Sequence, residues 1–197
     1  MQPGCFMFAV LAVLCVAVSC SQSTSVDTSS QTPHEHQHDH HDHEGKPAGI
    51  ESPVAPSEAG EQFILSEPPT DPQDVISAKA SVEDQAEITL VGRIGGNLEP
   101  WIEGRAIFTV VDSSLQSCER IPGDNCPTPW DFCCRTDKIP AASALVKVVD
   151  ESGQPIKSDA RELLGVRELT EVIVSGKALR DDSGNLTVLA SKVYVKK

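Results

Sequence analysis

The chain of 197 residues carries 29 acidic and 16 basic side chains, a net charge of −13, and only 4% of it is aromatic. Such an acidic chain lacks the basic footprint that grips nucleic-acid phosphates. Its seven cysteines and six histidines point instead to disulfide or metal chemistry, and the compartment decides between them.

Phe6 to Val18 is a run of thirteen uncharged residues, FMFAVLAVLCVAV. That length suits the core of a signal peptide and is short for a membrane span. Ala17-Val18-Ser19-Cys20 follows, and this stretch resembles the lipobox of bacterial lipoproteins. The resemblance implies cleavage before Cys20, a lipid thioether on Cys20 with further acylation such as palmitate, and a cell-envelope location. The membrane is then a partner through the lipid anchor, with the chain facing the periplasm or the exterior. The segment before the apolar run contains no Lys or Arg, the first basic residue being Lys46, which departs from the usual signal. Cysteine arithmetic agrees with the lipobox. Once Cys5 and Cys15 leave with the signal and Cys20 is acylated, four cysteines remain, an even number.

Residues 20–74 form the next segment, rich in Ser, Thr, Pro, Gln, His and acid. So little apolar surface cannot offset the entropy of ordering, so this stretch reads as a disordered tether. The charge divides accordingly: residues 1–74 hold one Lys and eleven acidic groups, net −10, whereas residues 75–197 hold fifteen basic and eighteen acidic groups, net −3. All six histidines lie here: His34, His36, His38, His40, His41 and His43. Imidazoles interleaved with carboxylates are good ligands for zinc, nickel or copper, so this tail is a candidate metal-binding segment. His34-Glu35-His36-Gln37-His38 also matches H-E-x-x-H. That protease chemistry needs a packed helix and a third ligand, which a polar run after Pro33 cannot supply.

Residues 75–197 are enough for one domain, and their pattern is mainly β. Strands are expected at Glu87–Ile94, Ala106–Asp112, Ala144–Asp150, Thr170–Leu179 and Leu186–Val195, with a hairpin turn at Ser183-Gly184-Asn185. One short helix is expected between the third and fourth strands, capped by Asp159 and closed by Gly165. Five strands in this arrangement resemble the OB-fold, a small Greek-key barrel, over about 110 residues. Gly92 and Gly176 fall within strands, where a closing barrel must bend. An antiparallel sandwich of the same strand count is the competing architecture.

The sequence CERIPGDNCPTPWDFCC places Cys118, Cys126, Cys133 and Cys134 in the long connection between the second and third strands. Outside the cytosol, two disulfides are the expected way to pin such a loop, as 118–133 with 126–134 or as 118–134 with 126–133. A metal cage is the rival reading, although C-x7-C-x6-C-C lacks the usual C-x-x-C knuckles. A redox role is the third, but the domain contains no histidine to activate a thiol. The same deficit excludes Ser–His–Asp and Cys–His catalysis, so no catalytic residue is assigned and no cofactor is required. Trp101, Trp130 and Phe132 are candidate ligand-binding aromatics on loops, with capping of the barrel as the structural alternative. The resulting expectation is a non-enzymatic, lipid-anchored envelope module with a metal-binding His-rich tail. The alternatives are an OB module for oligosaccharide or nucleic acid, nucleic acid being disfavoured, and a dedicated metal-buffering lipoprotein. A protein or glycan is the partner class expected at the barrel.

Overall fold

The computed structural model describes residues 55–197, so the signal segment, Cys20 and the six histidines lie outside the described residues. Five strands close a barrel in the order β2 (Glu87–Ile94), β3 (Ile107–Val111), β4 (Ser143–Val148), β6 (Leu186–Val195), β5 (Glu171–Arg180) and back to β2. The β4–β6 pair is parallel and the other pairs are antiparallel, which is the OB-like Greek-key arrangement. A two-residue strand, β1 (Gln73–Asp74), adds in parallel to the edge of β2.

Period-two alternation builds the interior. Ile88, Leu90 and Ile94 from β2 meet Phe108 and Val110 from β3 and Ala144, Val146 and Val148 from β4. Val172, Val174 and Ala178 of β5 and Leu186, Val188, Ala190 and Val193 of β6 complete this cluster. Gly176 answers a specific crowding requirement. A Cβ there would stand 1.9 Å from the Leu189 carbonyl oxygen, and the register with β6 shifts at Ser175/Gly176, a bulge that bends the sheet to closure.

Between β4 and β5 lies the expected helix, α4 (Ala160–Leu164), numbered after three that precede it in the chain. Asp159 caps it by accepting from the Arg161 N–H, and Gly165 ends it at φ 67°. The hairpin between β5 and β6 also forms as expected. Gly184 takes φ 78°, and the Asp181 carboxylate accepts from the Ser183 and Asn185 N–H groups.

Two departures from the sequence reading concern what surrounds the barrel. Helical turns are more numerous than the one expected: α1 (Glu58–Glu61), α2 (Val75–Ser81) and α3 (Ile139–Ala142) are present too. The folded part also begins before residue 75, since residues 57–65 dock on the barrel. Phe63 is buried in the core, Leu65 N–H donates to the Val193 carbonyl, and Val193 N–H donates to that of Phe63. Phe63-Ile64-Leu65 is an apolar triplet inside a polar stretch, and its burial offsets the ordering that the surrounding composition opposes. Among the described residues no helix is long and apolar enough to cross a membrane.

Asp112, at the end of β3, fastens one of these additions. It is 2% exposed; one carboxylate oxygen accepts from Ile76 N–H at the start of α2, the other from the N–H and hydroxyl of Ser114. Burial pushes its carboxyl up, but the hydrogen bonds from Ile76 and Ser114 outweigh this and hold it below the usual carboxylate range. A depressed folded value contributes stability above the unfolded value, about 3.9, and loses it as pH falls through the folded one. Asp112→Asn is therefore expected to cost about 1–3 kcal/mol at neutral pH and to flatten the loss of stability below pH 4. Urea unfolding at several pH values measures both. An acid limb identical to that of the wild type would assign the effect to other carboxylates.

Candidate metal centre in the connection between β3 and β4

The connection from Asp112 to Ala142 is fixed by three single 3-10 turns, at Cys118–Arg120, Pro129–Asp131 and Cys133–Arg135. Two of its cysteines are set by the same local device. The Asp124 carboxylate accepts from the Cys126 N–H at 2.8 Å, and the Asp131 carboxylate accepts from the Cys133 N–H at 2.8 Å. Each aspartate thus folds an Asx turn around the cysteine two places on, in Asp124-Asn125-Cys126 and again in Asp131-Phe132-Cys133. Thr128 adds a brace by donating its hydroxyl to Asp131 at 2.9 Å. The sequence carried this repeat of Asp-x-Cys in plain view, and cysteine spacing alone did not expose it.

These turns bring the thiols together. Cys133 Sγ lies 3.5 Å from Cys126 Sγ, 3.6 Å from Cys118 Sγ and 3.9 Å from Cys134 Sγ. All four cysteines stand as free thiols, with no sulfur–sulfur bond between them. Thiolates around a tetrahedral ion with metal–sulfur bonds of about 2.3 Å stand about 3.8 Å apart, whereas bonded sulfurs stand about 2.05 Å apart. The observed spacing is compatible with that of thiolates around an ion. Donor atoms of Cys118, Cys126, Cys133 and Asp131 all lie within 4.8 Å of one another, and so do those of Cys118, Cys134 and Asp124.

Protons are unevenly shared in this cluster. Burial pushes the Cys118 thiol up, but the Cys134 N–H and the neighbouring thiols donate to its sulfur and hold it below the ordinary value. Hydrogen bonds to Cys126 and Cys118 push Cys133 well up. Cys134 is pushed up to about 11, chiefly because its thiol donates to the Asp124 carboxylate, at 3.1 Å. Cys118, 1% exposed, is thus lowered where Cys133 and Cys134 are raised.

A small apolar cluster separate from the barrel interior seats this connection: Val111, Leu115, Phe132 and Ala142, with Ile139 and Leu169 against them. Phe132 is fully buried and takes the left-handed conformation, φ 55°, ψ 36°, in the step between Asp131 and Cys133. Gly95, just past β2, makes room beneath it. A Cβ there would stand 2.4 Å from the Trp130 carbonyl oxygen and 3.0 Å from the Phe132 ring. Gly96 N–H donates to that same carbonyl at 2.8 Å.

The three aromatics singled out from the sequence separate by burial. Phe132 is the anchor of the connection, not a surface group. Trp101 is 7% exposed, packs on Phe108 with ring centroids 6.0 Å apart, donates its indole N–H to Glu168 and lies under the Arg161 guanidinium. Only Trp130 is half-exposed, with its indole N–H on the Leu98 carbonyl at 3.1 Å.

No protein-family model matches this chain, and no characterised protein resembles it at a significant level. The site therefore has to be read from its own chemistry.

Gly95→Ala should push the Trp130–Cys133 segment off the barrel, and Phe132→Ala should remove its anchor at about 3 kcal/mol or more. Both are expected to weaken zinc binding by the whole chain while leaving the strand circular dichroism intact. Competition against a chromophoric chelator checks this, and wild-type affinity in both variants would separate the anchor from the thiols.

Proposed function

We propose that this chain is a non-enzymatic, lipid-anchored envelope protein whose OB-like barrel binds a thiophilic metal ion in the connection between β3 and β4. The observation that carries this reading is the convergence of three free thiols on Cys133 Sγ, at 3.5, 3.6 and 3.9 Å. Soft thiolate donors suit zinc or copper(I) over magnesium or calcium. With a full set of protein donors the site is of the closed, structural kind, which argues for binding or holding over catalysis. The His-rich stretch His34–His43 complements it as a capture segment, with weaker, exchangeable imidazole sites feeding a tighter thiolate site. The lipobox at Cys20 supports placement at the envelope, where the membrane is the partner.

A second reading, a protein or glycan ligand of the barrel, is favoured by the β2–β3 connection. Leu98 and Ile102 there are 58% and 51% exposed, and Trp130 leans on Leu98. The mild acidity of residues 75–197 argues against nucleic acid.

Intact mass of the membrane-extracted protein tests the main reading. The expected result is an acyl adduct on the chain, four reducible-state thiols after denaturation, and one zinc or copper ion in the native spectrum. That ion should remain when His34–His43 are deleted and disappear when Cys118, Cys126 and Cys133 are all replaced by Ser. A denatured mass four hydrogens lower, with no ion, would restore the two-disulfide staple and remove the metal reading.

A further inference from the structure

The four thiols are not equivalent, and the chain geometry around Cys133 and Cys134 shows why. Both sit in one 3-10 turn, Cys133–Arg135. With three residues per turn, successive side chains point about 120° apart, so two neighbouring thiolates do not converge easily on one small ion. Cys133 takes the inward direction, toward Cys118 and Cys126 at 3.6 and 3.5 Å. Cys134 stands 3.9 Å from Cys133 and is turned to Asp124, to which it donates. The mutually close donor set is accordingly Cys118, Cys126, Cys133 and Asp131, while Cys134 and Asp124 share a second set only with Cys118.

Asp131 is well prepared to serve as a ligand. One oxygen accepts from Cys133 N–H and the other from the Thr128 hydroxyl. The carboxylate is therefore held in a fixed orientation, as metal-ligating carboxylates are by their own hydrogen bonds. A carboxylate oxygen bonds zinc at about 2.0–2.2 Å and completes a tetrahedron with three thiolates.

Resting on the reading of this cluster as a metal site, we infer that the ion is held by three thiolates and one carboxylate, Cys118, Cys126, Cys133 and Asp131. Cys134 is then no ligand, because Asp124 holds it outside the donor set. Asp124 is a positioning residue that sets Cys126 through its backbone N–H and restrains Cys134 through its thiol. The hard oxygen in the set favours zinc over copper(I).

Cobalt(II) substituted into the reduced full chain reports the ligands optically. Its thiolate charge-transfer band scales with the number of sulfurs bound, and its visible bands move when an oxygen replaces a sulfur. Imidazoles of the His-rich stretch do not contribute to the charge-transfer band. The expected result is one thiolate-bound ion per chain, with Cys134→Ser giving the wild-type spectrum and an affinity within about threefold. Cys133→Ser should lose roughly a third of the charge-transfer intensity, and Asp131→Asn should shift the visible bands and weaken binding roughly ten- to hundredfold. A Cys134→Ser variant that loses charge-transfer intensity and affinity as Cys133→Ser does would make this a four-thiolate site and overturn the proposal. Two thiolate-bound ions per chain would overturn it as well. If the wild type shows no thiolate band at all, the metal reading itself has failed, a result distinct from either. Cys134→Ser decides the matter even where Asp131→Asn does not fold.

Discussion

Phe132 is the constraint on which the connection between β3 and β4 depends. Its ring occupies the small apolar cluster on the barrel's flank and is fully buried. Such burial is worth about 1.5–3 kcal/mol, enough to hold its backbone in the left-handed region, which costs a non-glycine residue about 1–2 kcal/mol. That conformation turns the chain sharply between Asp131 and Cys133. The same residue thereby fixes where a carboxylate and the central sulfur of the cluster stand relative to the barrel. Gly95 and Gly96 are the other half of the contact, supplying space for the Trp130 carbonyl and an N–H to bind it. Site and scaffold meet at this one seam.

The barrel was legible because closed β architectures write themselves in period two. All five strands and α4 lie within a few residues of where alternation, Asp159 and Gly165 put them. The region before residue 75 was not, for a physical reason. Composition averages over a window, and a window of Ser, Pro and acid hides Phe63-Ile64-Leu65, three residues that find a groove only once β6 exists. Burial of a short apolar segment by a distant strand has no local signature. The helix α2 shows the same limit, since its first N–H groups are satisfied by Asp112, remote in sequence, and not by its own N-cap Asp74.

The site was half legible. Spacing identified the four cysteines and the long connection, and compartment then favoured disulfides over ligands. That argument weighs an environment against a geometry that it cannot see. The signal that spacing missed was the aspartate two residues before Cys126 and again before Cys133, because an Asx turn orients the next side chain but one. For a disulfide such orientation matters little, since the bond imposes its own geometry. For an ion it matters greatly, since several donors must converge before the ion arrives. Phe132 was misleading in the opposite sense: an aromatic in loop sequence suggested surface, yet it is interior and anchors the connection, while Trp101 takes the capping alternative and closes the barrel over Phe108.

Two disulfides ending at the adjacent Cys133 and Cys134 would bring residues 118 and 126 to one place. An ion would do the same, but in a way that depends on its own concentration. One ion held by Cys118, Cys126 and Cys133 would join three segments at a single point, closing consecutive loops from residue 118 to 126 and from 126 to 133. Loop closure on that scale is worth a few kcal/mol by chain entropy, on the order of 3 kcal/mol for fifteen residues, and is gained only when the ion is bound. Stability of the connection then becomes a function of free ion concentration. Because Trp130 leans on Leu98 and its carbonyl is bound by Gly96, an ion at Cys133 would also bear on the only half-exposed tryptophan among the described residues. The two functional readings of the barrel, metal holding and partner binding, thus share a mechanical link through three residues: Trp130, Phe132 and Cys133.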